Sequence, residues 1–196
     1  NSTTGLKYVV GHSVREYFMN RYAGVNPANG DALWYTADGE LTTEFREEDK
    51  VMTGKSFDSP WVGGFGTSLM WKGLSLSAQF SWMAKRYVMN NDRFFEESNG
   101  LYSAYNQSKR LLYDRWKKPG DITDIPRYGV TAQLDDRFLE NSSFLRLKNL
   151  TLAYAFPQSL LKKTNFFTSA RVYLQGQNLL TWTGFTGLDP EVATNV

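Results

Sequence analysis

At 196 residues with a formal charge of +2, the chain is long enough for one domain or a piece of something larger. Its Lys and Arg interleave with Asp and Glu, which argues against an electrostatic nucleic-acid binder. Cysteine is absent and histidine occurs once, at His12, so disulfides, thiolate metal sites, cysteine nucleophiles and His-rich centres are not expected, and no cofactor is called for.

In chain order, the first candidate strand is Val14 to Val25, with the weak pattern REYFMNRYAGV. A long polar connection, Asn26 to Val62, follows. Within it NPANGD (Asn26 to Asp31) and Asp38-Gly39 are turn chemistry. The strongest signal is GFGTSLMWKGLSLSAQFSW, Gly64 to Trp82. With a two-residue turn at Lys72-Gly73, its period-two alternation puts Phe65, Thr67, Leu69, Trp71, Leu74, Leu76, Ala78, Phe80 and Trp82 on one face. Ser68, Ser75, Ser77, Gln79 and Ser81 fall on the other. Lys is not favoured at the first position of a type I′ turn, so the alternation leaves the turn geometry open.

A second long polar connection, about Tyr87 to Asn141, leads to SSFLRLKNLTLAYAF, Ser142 to Phe156, which Pro157 ends. Leu145 and Leu147 are out of phase with Leu150, Leu152, Tyr154 and Phe156. A β-bulge near Lys148-Asn149 would bring both sets to one side. Leu160 to Lys163 reads as a turn of helix and Ala170 to Trp182 as a further strand, with Val172, Leu174 and Leu180 opposite Tyr173, Gln175 and Gln177. A polar face with two Gln and a tyrosine suits a water-filled lumen.

The longest apolar runs are a few residues, against about 20 for a membrane-spanning helix. Strands of a membrane barrel need only about 9 to 11 alternating residues, so a barrel stays open. Periodicity alone does not decide whether the dry face of the hairpin meets a protein core or lipid. In a compact domain, connections as long as these two are usually functional or else count against the assumption of such a domain. Short turns on one side and long loops on the other are the arrangement of an outer-membrane barrel. The chain opens Asn1-Ser2-Thr3-Thr4-Gly5 with no visible leader, so an internal fragment or a processed start is expected. Carboxylates at Glu47-Glu48-Asp49, Glu96-Glu97 and Asp135-Asp136 lack calcium-loop spacing and read as solvated loop charge. No phosphate loop, nucleophile elbow or zinc helix is present, and the chain is not expected to be an enzyme.

Four segments carry a resemblance: RYAGVNPANGDALWYTADGELT (Arg21 to Thr42), PWVGGFG (Pro60 to Gly66) with the hairpin it opens, SSFLRLKNLTLAYAFPQSLLKK (Ser142 to Lys163), and RVYLQGQNLLTWTGFTGLDPEV (Arg171 to Val192). Together they resemble the C-terminal end of the SusC/RagA family of TonB-dependent outer-membrane transporters. The resemblance implies an all-β fold in which antiparallel strands form part of a barrel of 22 strands, with short periplasmic turns, long extracellular loops and an N-terminal plug. Residues 1–196 would then be a C-terminal portion of that barrel, with the plug, most strands and the final strand lying outside it. Implied partners are a SusD-like surface lipoprotein, TonB through the plug-bearing part, outer-membrane lipid, and an oligosaccharide or peptide cargo, with no nucleic acid. The implied location is the bacterial outer membrane.

On that pattern Phe65, Leu69, Trp71, Leu74, Leu76, Phe80 and Trp82 face lipid. Lys72-Gly73 and Pro157 to Ser169 become periplasmic turns, and Gly184 to Val196 becomes extracellular. Trp34, Tyr35, Trp61, Trp116 and Tyr128, expected in the long loops, are candidate contacts to cargo or lipoprotein. Leu188-Asp189-Pro190-Glu191 is a landmark of the family without an assigned role. The competing expectation is a secreted, soluble β-sandwich binding carbohydrate through exposed aromatics, which requires a second sheet over the apolar face.

Overall fold

The computed structural model describes residues 7–163 and 166–192. The start at Asn1–Gly5, residues 164–165 of the Pro157 to Ser169 turn, and the end of the last loop at 193–196 lie outside the described residues. In chain order the strands are β1 (Glu16–Met19), β2 (Arg21–Val25), β3 (Ala32–Tyr35), β4 (Leu41–Thr42), β5 (Val51–Ser56), β6 (Trp61–Trp71), β7 (Leu74–Ala84) and β8 (Tyr87–Met89). Helices α1 (Asn91–Glu96) and α2 (Arg110–Tyr113) come next, then β9 (Leu139–Asn141), β10 (Phe144–Ala155), α3 (Gln158–Leu161) and β11 (Arg171–Thr183). The chain divides into two units, one comprising Asn1–Asp58, Lys85–Ser142 and Phe185–Val196, the other Ser59–Ala84 and Ser143–Gly184.

The second unit is a wall of four antiparallel strands in the order β11-β10-β7-β6. Its hairpin has the expected register, with Phe65 opposite Phe80, Leu69 opposite Leu76 and Trp71 opposite Leu74. The turn is the two residues Lys72 and Gly73, at φ 47° and 88°. Two positive φ values in a two-residue hairpin define the type I′ geometry that the right-handed strand twist favours. Lys72 tolerates it with its ammonium 5.0 Å from the centre of the Trp71 ring. Gly73 is required on a second count, since a Cβ there would lie 2.6 Å from the Ala155 carbonyl oxygen.

The bulge in β10 is where the apolar phase demands it. Leu147 pairs with Phe80 and Asn149 with Gln79, so Lys148 is the extra residue. Leu145, Leu147, Leu150, Leu152 and Tyr154 thereby all stand opposite Trp82, Phe80, Ala78, Leu76 and Leu74. On the other side of β10, Leu147 pairs with Leu180 but Asn149 with Gln177, so β11 is irregular at the same level. Asn178 lies inside that irregularity at φ 50°, a left-handed conformation that asparagine accepts better than most residues. The last strand, expected over Ala170 to Trp182, is Arg171–Thr183.

In the first unit the two long polar connections carry secondary structure of their own. Val14 to Val25 is two strands rather than one. β1 pairs with β5, and β2 joins a three-stranded sheet with β3 and β4. They part at Asn20, which is fully buried and donates through Nδ2 to the Arg46 carbonyl at 2.7 Å. The Tyr87 to Asn141 connection is closed at its base by pairing of β8 with β9. Tyr17 and Met19 of β1 and Leu139 of β9 form a core cluster of this unit, packed by Phe57, Tyr87, Met89 and Leu134. Among the described residues no helix is long and apolar enough to cross a membrane.

Candidate functional site

The wall presents two chemically distinct faces because alternation survives in all four strands. On one side run the cross-strand rows Leu69, Leu76, Leu152, Leu174 and, higher up, Phe65, Phe80, Leu147, Leu180. Phe65 and Phe80 stack with ring centres 4.8 Å apart. Trp61 and Trp82 stand at the open end of the hairpin, Trp71 at the turn end. The opposite side carries the rows Ser68, Ser77, Thr151, Gln175 and Gly66, Gln79, Asn149, Gln177, with Asn149 Nδ2 donating to Gln79 Oε1 at 3.0 Å. Leu69, Trp71 and Leu174 are 61%, 69% and 76% exposed, so no second sheet covers the apolar face among the described residues. The β-sandwich expectation fails on that point.

The loop aromatics separate into different roles. Trp34 belongs to β3, not to a loop, and is 4% exposed. It packs edge-on to Tyr22 and Phe45 and is no platform for a ligand. Trp61 is likewise corrected: it opens β6, pairs with Ala84, and shares the apolar face with Phe65. Tyr35 ends β3 on the surface, with the Arg21 guanidinium 5.3 Å from its ring centre. Trp116 is half-buried, its Nε1 donating to the Pro27 carbonyl at 3.1 Å. Tyr128 is 71% exposed beside Arg115. Of the five, Tyr35 and Tyr128 remain open to a partner.

The carboxylates also differ from expectation. Asp49, Glu97 and Asp135 are buried rather than solvated. Glu97 receives Arg110 Nη1 at 2.7 Å and Arg93 Nε at 3.1 Å. Asp135 accepts the Trp34 indole N–H at 2.9 Å. Its neighbour Asp136 accepts the Tyr22 backbone N–H at 2.8 Å and an ion pair from Lys55 at 3.1 Å. These two acids therefore fasten β2 and β3 to the segment before β9. Among the described residues no group of three His, Asp or Glu side chains could hold a metal ion.

Burial pushes the Asp135 carboxyl up to about 6, against the opposing pull of the Arg137 charge and the Trp34 hydrogen bond. Its folded pKa is above the unfolded value, so the folded protein binds the proton more readily. The fastening should gain stability as pH falls from about 6 towards 4, by at most about 3 kcal/mol. Hydrogen exchange of residues 21–35 in the full-length protein, corrected for intrinsic rates, should slow over that range. In Asp135→Asn that slowing should vanish.

Sequence reasoning missed what holds the last segment. Arg86, 6% exposed, donates from Nη1 to the carbonyl oxygens of Pro190 at 2.9 Å and Glu191 at 3.2 Å, and lies over the Phe57 ring. Glu140 accepts the Thr186 backbone N–H at 3.0 Å and its hydroxyl at 2.7 Å. The Leu188 to Glu191 landmark is thus a strap pinned on both sides, with Leu188 98% exposed between the pins. A buried Arg aimed at main-chain carbonyls leaves no spacing in sequence by which to find it.

An open antiparallel wall, one face apolar and uncovered and the other polar, is part of a large outer-membrane β-barrel, left unclosed here. No family model matches the sequence. The TonB-dependent receptor P3 of Formosa agariphila is 33% identical over 155 residues, 79% of this chain and 14% of that receptor. The TonB-dependent receptor SusC of Bacteroides thetaiotaomicron is 38% identical over 202 residues, covering 100% of this chain and 19% of that receptor. A solved structure of the RagAB peptide transporter superposes with a TM-score of 0.90 at 39% identity, over 98% of this chain and 22% of that chain. The chain belongs to the SusC/RagA family of TonB-dependent outer-membrane transporters. It spans less than a fifth of the length of these two curated relatives.

Proposed function

We propose that the chain is part of the wall and loops of an active outer-membrane importer of oligosaccharides or peptides, in a barrel of 22 strands plugged by its N-terminal part and coupled to TonB. A SusD-like lipoprotein caps it in this reading. The observation that carries the proposal is the continuous, uncovered apolar face of β6, β7, β10 and β11. Phe65, Leu69, Trp71, Leu74, Leu76, Phe80 and Trp82 on it face lipid, and the Ser, Thr, Gln and Asn rows face the lumen or plug.

The dimensions fit. Trp61 and Trp71 are the first and last residues of the 11-residue β6. At about 3.4 Å per residue they stand about 34 Å apart along the strand, or about 26 Å along the membrane normal for a tilt of about 40°. That matches an apolar band of about 25 Å bounded by two aromatic girdles. The RagAB peptide transporter supports transport across the membrane and the TonB-dependent receptor SusC supports coupling to TonB, and in this reading the choice between peptide and saccharide rests with the loops.

The test is uptake by cells carrying or lacking the full-length gene, with fluorescent oligosaccharides and peptides as probes, in the presence and absence of TonB. Import should require both the gene and TonB. Uptake that persists without TonB, or a full-length protein recovered in the soluble fraction, overturns the proposal.

A further inference from the structure

The segment from Tyr113 to Asp124 encloses an open cleft of about 760 Å3, within the size range of ligand sites. Its shape is fixed from behind. Trp116 N–H donates to the Ile125 carbonyl at 3.0 Å, Gly120 N–H to the Pro27 carbonyl at 2.9 Å, and the Thr123 hydroxyl to the Asp114 carbonyl. The Trp116 indole, tied to Pro27, is not part of the cleft lining and anchors the irregular segment that displays Arg115, Lys117 and Lys118.

The charges lining this cleft are unevenly paired. Each of its three acids is occupied. Asp124 takes both Arg110 Nη2 contacts, at 2.8 and 2.7 Å, and Asp114 lies 3.4 Å from Arg110 Nε. Asp121 Oδ2 accepts the backbone N–H groups of Lys117 and Lys118, both at 3.0 Å, which hold its carboxyl below the usual range. None of the three cations, by contrast, has a carboxylate within ion-pair distance among the described residues. Lys117 Nζ donates to the Tyr113 carbonyl at 3.2 Å, and the Arg115 guanidinium sits 5.2 Å from the Tyr128 ring centre. Tyr113 in the lining and Tyr128, beside Arg115 and outside the lining, are 70% and 71% exposed.

We propose that this cleft is a subsite for an acidic saccharide, an inference that rests on the importer reading. Arg115, Lys117 and Lys118 receive the carboxylate or sulfate groups, and Tyr113 and Tyr128 take the apolar faces of the sugar rings. Guanidinium and ammonium groups bind such anions through charge-assisted hydrogen bonds, and tyrosine combines an apolar face with a hydroxyl. A peptide is the poorer fit. Ile122 stands 94% exposed on the rim, and the lining has no buried apolar pocket in which a side chain would seat.

The test uses the full-length transporter purified from outer membranes, as wild type and as the triple variant R115Q/K117Q/K118Q. Calorimetry with tetragalacturonide, maltotetraose and tetraglutamate provides the readout at low and high salt. Tetragalacturonide should bind most tightly, weaken with salt, and lose at least about tenfold in the triple variant. Equal tetragalacturonide binding by both proteins, no binding by wild type, or tighter binding of tetraglutamate overturns the proposal. TonB-dependent uptake measured in the same strains separates the outcomes: an importer that ignores tetragalacturonide sinks only the cleft.

Discussion

Inserting one alanine after Leu76 is expected to abolish assembly of the full-length protein into the outer membrane. Alternation has period two, so one added residue sends every later side chain of β7 to the opposite face. Ala78, Phe80 and Trp82 would turn towards the polar side, and Ser77, Gln79 and Ser81 towards the apolar one. Phe80 would lose its stack on Phe65 and its cross-strand partner Leu147, and Trp82 its partner Leu145. Removing Phe and Trp from an apolar environment forfeits roughly 1.5–3 kcal/mol each. On the lipid-facing reading, placing the Gln79 amide on the apolar side without its Asn149 partner adds several kcal/mol more. The loss is large beside the roughly 5–15 kcal/mol stability of a typical domain.

Deleting Lys148 is the contrasting case. The β10–β7 pairing sets that residue aside, so on the β7 side its removal leaves Leu147 opposite Phe80 and Asn149 opposite Gln79 with regular alternation, while on the β11 side it widens the existing irregularity to the two residues Asn178 and Leu179. The deletion, which keeps every later side chain of β10 on its face, should assemble far better than the insertion. Heat-modifiable gel mobility and protease protection of membrane fractions read both. Equal assembly of insertion and wild type would sink the two-faced wall.

The contrast also explains what was legible in the sequence. The hairpin could be read because both arms alternate without interruption around a two-residue turn, and the β10 bulge because its apolar phase jumps between Leu147 and Leu150. The β11 irregularity at Asn178 left no trace, since Leu174 and Leu180 keep the same phase across it. In the other unit, strands of two to six residues such as β4 and β5 are too short to establish a period. Their residues therefore read as loop. The buried acids were misjudged for a related reason. Asp135 meets a donor from Trp34, 101 positions away, and a carboxylate in a polar stretch looks solvated until its distant partner is known. The same gap hid Trp34, whose indole seemed available and is instead spent inside. What stayed visible among the candidate contacts were the side chains left on the surface, Tyr35 at the end of β3 and Tyr128.

Phe80→Arg in the full-length protein is expected to impair membrane assembly severely, while Gln79→Arg, its chain neighbour, is largely tolerated. The cost of an arginine on a lipid face depends on depth, about 2–4 kcal/mol at the midplane and about 0–1 near the interfaces. The Trp71-Leu74 pair marks one border of the wall and the Trp61-Ala84 pair the other, which puts the midpoint close to Gln79 along β7. On the lipid-facing reading Phe80 is therefore near the most expensive level, and its replacement also removes the stack on Phe65. Gln79→Arg at the same depth points to the polar side and gives up only the hydrogen bond from Asn149, worth about 1 kcal/mol. Leu76→Arg, nearer the Lys72-Gly73 turn, should fall between them, because a long arginine stem can carry its charge to the interface from there. Denaturant titration of the folded, membrane-inserted proteins orders the three. A ranking by face and then by depth supports a lipid-exposed wall. Equal costs at Phe80 and Gln79 would mean that both faces are buried against protein.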